Sequence, residues 1–374
     1  MPEKPRQSRG GLVFFLLILL FAASGFLVFK VTGDVRETFG APAPGLSLPS
    51  LFRQTLSLYA ARKSMLQASP LIQEAKFGIS PDEPVPALCA RLEAEGFVRS
   101  AEQTCAYLIY SGLDRRLQSG RFTLEPGLSM LQIAQRFADP AARDLQLTIF
   151  AGWRVEEVVE SGSVFGTAFP SQALLELSLN PPAPLAQNLG LVPGQSTEGY
   201  FEPGSHFFKP NSLPETVLAE LVSKRVSEGL RPEIIARAQA LGLSWRQVLT
   251  IASMIEREAM QTEEMPLISS VIHNRLAQGM RLEMDSTVQY ALGRPGNWWK
   301  APLSLDDTRT DSSYNTYQVT GLPPGPICNP SDEAIQAALQ PEESDYYFFV
   351  ARCDGSGLHH FSRTFEEHLE NLCP

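Results

Sequence analysis

The chain has 374 residues, 44% of them apolar and 19% charged, and a net charge of −10 at pH 7. Such values belong to folded globular protein and exclude wholesale disorder, while the length calls for two or three units rather than one core. The body holds no block of lysines or arginines, which excludes a nucleic-acid partner gripped through its phosphates.

The first predicted element is a membrane span. Residues Gly10 to Val31 read GGLVFFLLILLFAASGFLVFKV, with no charge before Lys30, and about 20 apolar residues cross a bilayer core as a helix. Lys4, Arg6 and Arg9 precede the run, whereas Lys30 and Arg36 are offset by Asp34 and Glu37. The positive-inside rule therefore predicts a single-pass protein of the cell (inner) membrane. Residues 1–9 are then cytoplasmic, and everything after about Thr32 lies outside. The alternative is a cleaved signal peptide with AAS at 22–24 as its small-residue site, but GFLVF continues the apolar run past that point. Either way the bulk is exported.

Residues 32–75 read as a stalk: APAPGLSLPSLF is Pro-rich and irregular, and TLSLYAARKSMLQA suits a short helix. A weak repeat of extended piece, turn and helix comes next, in ISPDEPVPALCARLEAEG, FTLEPGLSMLQIAQRFAD and LTIFAGWRVEEVVESGS. In the second copy Pro126-Gly127 makes the turn, Ser129 caps the helix, and Leu131, Ile133, Ala134 and Phe137 form its buried stripe. That copy resembles the LysM module, a small βααβ unit that binds N-acetylglucosamine chains, which implies such a module over 76–145. A purely structural spacer is the alternative.

Residues 165–213 are rich in Pro, Gly, Ser and Asn and read as a long connection. Helical patterns resume in PETVLAELVSKRVSEGL and PEIIARAQALGL, and Ser244-Trp245-Arg246-Gln247 makes a capping box. Short strands in DYYFFVAR and around HHFSRTFEEHLENL close the chain, giving an α+β domain over 146–374 with its helices first. Five cysteines suit an exported chain. Neither CxxC nor a zinc spacing occurs. Cys89–Cys105 and Cys328–Cys353 is the simplest pairing, leaving Cys373, at about 3 kcal/mol per loop; free buried thiols are the alternative.

The capped helix leads into IASMIEREAMQ, residues 251 to 261. At 100° per residue Val248, Ala252, Ile255 and Ala259 share a face, Arg257 points away into water, and Glu256 and Glu258 border the stripe on opposite flanks. A carboxyl group at such a border is desolvated, which favours the neutral form that a general acid needs. The competing reading is a helix end salt-bridged through Arg257 or Lys224. Downstream, Asp285, Thr287, Gln289 and Tyr290 share a surface on a short helix opening at Asp285 or Ser286. Tyr314-Asn315-Thr316-Tyr317 gathers amides, hydroxyls and rings before a Pro323-Pro324-Gly325-Pro326 corner. Rings stack on pyranose faces and amides read hydroxyl and acetamido groups, although plain turn residues would look the same.

IASMIEREA, PLISSVIHNRLAQGM, DSTVQYALG and YNTY…GLPPGPICNP together closely resemble the endolytic murein transglycosylases, single-pass membrane proteins with a LysM-like module and a C-terminal lytic domain. The resemblance implies Glu256 as catalytic acid/base and Glu258 as a supporting residue. It implies a groove lined by Glu198, Asp285, Thr287, Tyr290, Tyr314, Asn315, Thr316 and Tyr317. It also implies peptidoglycan glycan strands as substrate, cut near the membrane beside the wall-synthesis complex, with no metal and no cofactor. Glu198-Gly199-Tyr200 matches a family motif, but FEPGSHFF then departs from it, which weakens the parallel over 202–206. One carboxyl group suffices for lytic cleavage, because the muramic C6 hydroxyl replaces water and closes onto C1 to leave a 1,6-anhydro end. Two rivals stand beside this reading: a hydrolytic muramidase with Asp285 or Glu198 directing water, and a non-enzymatic wall-binding anchor. No HExxH, GxSxG, Walker loop or GxGxxG is present.

Overall fold

The computed structural model describes residues 9–189, 191 and 193–373, so residues 1–8 of the expected cytoplasmic segment lie outside it. The protein divides into two compact units, one ending at Asp144 and the other starting at Leu145.

The first unit begins with helix α1 (Arg9–Phe39), whose apolar stretch from Phe14 is long enough to cross a membrane and is left unburied by the protein, touching α2 near its end. Its last turns are different: Val35 and Phe39 are buried in the unit's core. Helix α2 (Leu48–Met65), capped by Ser47, supplies Leu58, Ala61 and Met65 to the same core. The short helix expected over TLSLYAARKSMLQA is present, but it starts earlier, inside the Pro-rich patch, and it is packed into the unit rather than standing as a stalk. Backbone bonds from Ala43 to Tyr110 (2.7 Å) and from Ser69 to Leu128 (2.7 Å) tie it to the rest of the unit.

Strand β1 (Ala75–Ile79), α3 (Val85–Ala94), α4 (Ala101–Ser111) and β2 (Gly120–Leu124) come next, with β1 and β2 paired antiparallel. Helix α5 (Met130–Phe137) completes the unit. Cys89 and Cys105 join α3 to α4, their Cα atoms 5.9 Å apart. Ser129 and Gln132 form the capping box of α5, which buries Met130, Ile133, Ala134 and Phe137. Each expected copy of strand, turn and helix folds that way: β1 into α3, β2 into α5, and in the second unit β3 (Leu145–Ile149) into α6 (Val155–Gly162).

The second unit continues through α7 (Ser171–Leu179), α8 (Ala183–Asn188) and β4 (Gly204–Phe208), so the region read as a long connection carries two helices and a strand. Pro170, Pro182 and Pro184 stand at or beside helix starts, where a missing N–H costs nothing. Strand β4 pairs antiparallel with β3. Then come α9 (Pro214–Gly229), α10 (Pro232–Ala240), α11 (Trp245–Glu258), α12 (Met265–Ala277), α13 (Asp285–Leu292) and α14 (Asp332–Leu339). A hairpin of β5 (Phe348–Ala351) and β6 (His359–Ser362) and helix α15 (Phe365–Glu370) end the chain.

Helix α11 is the axis of this unit. Residues 248 to 255 are all buried. Its capping box joins Gln247 N to Ser244 Oγ (3.3 Å) and Ser244 N to Gln247 Oε1 (2.8 Å). The pairing Cys328–Cys353 does not occur. Cys328 is buried and free, its thiol donating to the Ser253 carbonyl at 3.3 Å, while Cys353 is bonded to Cys373 with Cα atoms 5.6 Å apart. The reason is topological: the hairpin folds back and α15 runs along it, so the two exposed ends meet.

Candidate active site

A buried helix that ends in charged residues must find partners for them, and α11 finds a different one for each. Glu256 faces α14. Its Oε2 accepts from Ser331 N at 3.0 Å and Ser331 Oγ at 2.5 Å, and Ser331 is the N-cap of that helix. Glu256 thus fastens one helix end to the start of another.

Arg257 does not point into water. Its guanidinium lies 3.7 Å from the centroid of the Trp299 ring, because residues 294–306 fold over the end of α11. Trp299 Nε1 donates to Glu157 (2.9 Å) and Trp298 Nε1 to Glu160 (2.9 Å), which anchors that segment to α6.

Glu258 turns the other way, toward α13. It is only partly covered, yet protein crowds it on most sides. Desolvation raises its pKa, the neighbouring Asp285 carboxylate raises it further, and the Ser286 hydroxyl, donating at 2.6 Å, works against them. The negative end of the helix dipole acts in the same direction as burial. A desolvated carboxyl of the kind expected on this helix is thus present at Glu258, the residue read from sequence as a supporting one.

Around it the expected residues divide into three groups. Asp285 is exposed at the start of α13 and accepts from Tyr317 Oη at 2.8 Å, so Glu258, Asp285 and Tyr317 form one surface, with the buried Ser286 hydroxyl behind Glu258. His359 on β6 adds an electrostatic contact that lowers the Glu258 pKa, and it is itself held by Glu264 at 2.8 Å.

Thr287, Asn315 and Thr316 do not line this surface. All three are fully buried with internal partners. Thr287 Oγ1 and Thr316 Oγ1 are 2.9 Å apart, Met284 N donates to Thr316 Oγ1 at 2.9 Å, and the Asn315 amide donates to Thr308 O (3.0 Å) and Thr310 O (2.7 Å). They lock the 314–317 turn to the base of α13 and so set where Tyr317 and Asp285 stand. A side chain without exposure cannot touch a sugar; this corrects their expected role as lining.

Glu198, Tyr290 and Tyr314 make a second, interior cluster. Glu198 is fully buried, accepting from Val155 N at 3.2 Å, Tyr290 Oη at 3.4 Å and Asn329 Nδ2 at 3.5 Å. Burial first, then the Glu156 charge, pushes its pKa up to about 8, against the opposing pull of Arg154. Arg154 stacks on the Tyr290 ring at 4.0 Å and bonds Glu156 at 2.9 Å, and Tyr290 packs on Tyr314 at 4.8 Å between centroids. Gly199 permits the close approach: its φ is +84°, and a Cβ there would come within 2.5 Å of Pro326. This cluster is an internal brace and does not bring Glu198 to the Glu258 surface.

Sequence reasoning missed Arg154, Ser286, Trp298, Trp299 and Ser331. The adjacent pair Trp298-Trp299, half of the chain's four tryptophans, was the signal available.

The family model described as YceG-like matches residues 77–373. An endolytic murein transglycosylase of Bacillus subtilis is 27% identical over 325 residues, 82% of this chain and 86% of that protein. One from Streptococcus pneumoniae is 33% identical over 178 residues, which is 47% of this chain and 31% of the relative. A crystal structure of a yceG-like protein from Listeria monocytogenes superimposes with a TM-score of 0.55 at 27% identity, covering 80% of this chain and 98% of the other.

Proposed function

Because the chain belongs to the YceG-like family, we propose that it is a peptidoglycan lytic transglycosylase whose acid/base is Glu258. The reaction splits the β-1,4 bond between N-acetylmuramic acid and N-acetylglucosamine in glycan strands. The observation that carries this reading is the desolvated but still accessible Glu258 carboxyl, with Ser286 on it and Asp285 beside it. The names of the Bacillus and Streptococcus relatives support the substrate and reaction class.

Protonated Glu258 gives its proton to the bridging oxygen as the C1–O bond breaks. The sugar ring becomes oxocarbenium-like, and the nearby Asp285 carboxylate, held by Tyr317, stabilises the developing positive charge. Ionised Glu258 then takes the proton of the muramic C6 hydroxyl as its oxygen bonds to C1. Proton and electron pairs balance, with no water consumed. Glu256 positions the end of α11 through Ser331 and does not touch the sugar.

The proposal extends to the whole chain. Residues 10–31 anchor it in the membrane with its N-terminus inside, a LysM-like module occupies 76–145, and the lytic domain occupies 146–374 and acts on nascent strands. A hydrolytic muramidase is the second reading, favoured by one observation: Asp285 stands next to Glu258 and offers the second carboxyl that such enzymes use.

The test is a pair of variants of the full chain assayed on purified glycan strands. Glu258→Gln is expected to lower turnover about 10²- to 10⁴-fold, and Glu256→Gln to stay within about tenfold of wild type. The reverse order would return the acid/base role to Glu256.

A further inference from the structure

The first turns of helix α2 are polarised the wrong way for a helix in water. Gln54 and Thr55 are buried, whereas Leu48, Phe52 and Leu56 are 80%, 64% and 54% exposed. These three stand at i, i+4 and i+8, so they form one continuous edge. The helix carries Arg53, Arg62 and Lys63 and no acidic residue.

The edge does not stand alone. Leu48, Leu51, Phe52, Thr55 and Leu56 share a cavity of about 330 Å³ with α1 residues that include Leu27, Val28 and Val31. Those α1 residues belong to the apolar run from Gly10 to Val31, about 33 Å long at 1.5 Å per residue. A helix touching Leu27 and Val28 reaches at least one turn below the end of that run.

We infer that α2 is an interfacial helix, its Leu48–Phe52–Leu56 edge sunk among the acyl chains of the leaflet nearest the folded unit. This rests on the membrane-anchor reading of α1. It comes from continuity: if Gly10–Val31 crosses the bilayer, the outer lip of the α1–α2 cavity stands in lipid as well. Exposed apolar edges of this kind mark a contact that removes them from water. The depth is that of amphipathic helices lying in an interface, about 5–10 Å below the headgroups. Arg53 and Lys63, both exposed, are free to meet anionic headgroups at the rim. The helix then fixes the height and tilt of the first unit on the membrane, which a single span leaves free to swivel.

The experiment uses the full chain in vesicles of phosphatidylethanolamine and phosphatidylglycerol, with the photoreactive residue benzoylphenylalanine placed singly at position 18, 52, 56 or 102. Position 18 lies in the apolar part of α1, and position 102 is exposed on α4. After illumination, mass spectrometry is expected to find acyl-chain adducts at 52 and 56 in yield comparable with 18, and none at 102. If 18 is labelled but 52 and 56 behave like 102, the helix lies in water and the inference fails while the anchor stands. Crosslinks from 52 or 56 to a second copy of the chain would overturn it in favour of a protein contact. If the protein does not float with vesicles and 18 takes no lipid, the anchor reading fails and this inference falls with it.

Discussion

Between Glu256 and Glu258 the helix turns through about 200°, and that rotation separates fastening from chemistry. One carboxylate meets the amide and hydroxyl of Ser331, while the other meets Ser286 and Asp285. Because burial and Asp285 hold the Glu258 pKa above the usual carboxylate range, the acid form persists to higher pH. Activity should therefore fall as pH rises through that raised value. Asp285→Asn removes a like charge and should move this alkaline limb toward lower pH; a pH profile of turnover with an unmoved limb would count against the pair. Glu198 makes a separate prediction for stability. Its folded pKa of about 8 exceeds the unfolded one, so folding holds a proton that the unfolded chain gives up. The associated stability is present in full below the ordinary carboxylate range and is lost as pH rises toward 8. Thermal melts should show wild type losing stability relative to Glu198→Gln over that window, by on the order of a few kcal/mol.

At the scale of elements, the joint between α11 and α14 and the C-terminal hairpin hold the site in place. Glu256→Gln and Ser331→Ala should each cost about 1 kcal/mol, and the double variant less than their sum, since both break the same joint. Denaturant titration of the four proteins measures this; full additivity would separate the two residues. Replacing Cys353 and Cys373 by serine opens a loop with a sequence separation of 20 and should cost about 3 kcal/mol, with hydrogen exchange rising through β5, β6 and α15. Replacing Cys328 should leave that disulfide intact. Local signals foretold much of this level. The helix cap at Ser129, the capping box at Ser244, the three strand–turn–helix copies and the pair Cys89–Cys105 all rest on neighbours close in sequence. Cys353–Cys373 did not announce itself, because hairpin return and helix docking decide it. The helices within 165–213 were hidden by prolines that mark helix starts as readily as loops.

For the whole molecule, an apolar N-terminal helix and a mixed helix-and-sheet fold were legible from composition and period. Residues 32–75 were misjudged because a Pro-rich patch masks the fact that Leu58, Ala61 and Met65 belong to the first unit's core. The site was half legible. Its motifs were found, but which partners each glutamate meets depends on where α13 and α14 dock, and no short-range pattern encodes that. Thr287, Asn315 and Thr316 were picked for their hydrogen-bonding groups, and those groups are spent inside the protein. At the centre of the proposed chemistry, one desolvated carboxyl cuts glycan strands without using water as nucleophile. Mass spectrometry of strands digested by the full chain in heavy-oxygen water probes that step itself. The expected products are 1,6-anhydro muramic ends free of the heavy isotope, lost in Glu258→Gln. Reducing ends carrying heavy oxygen would overturn the lytic mechanism.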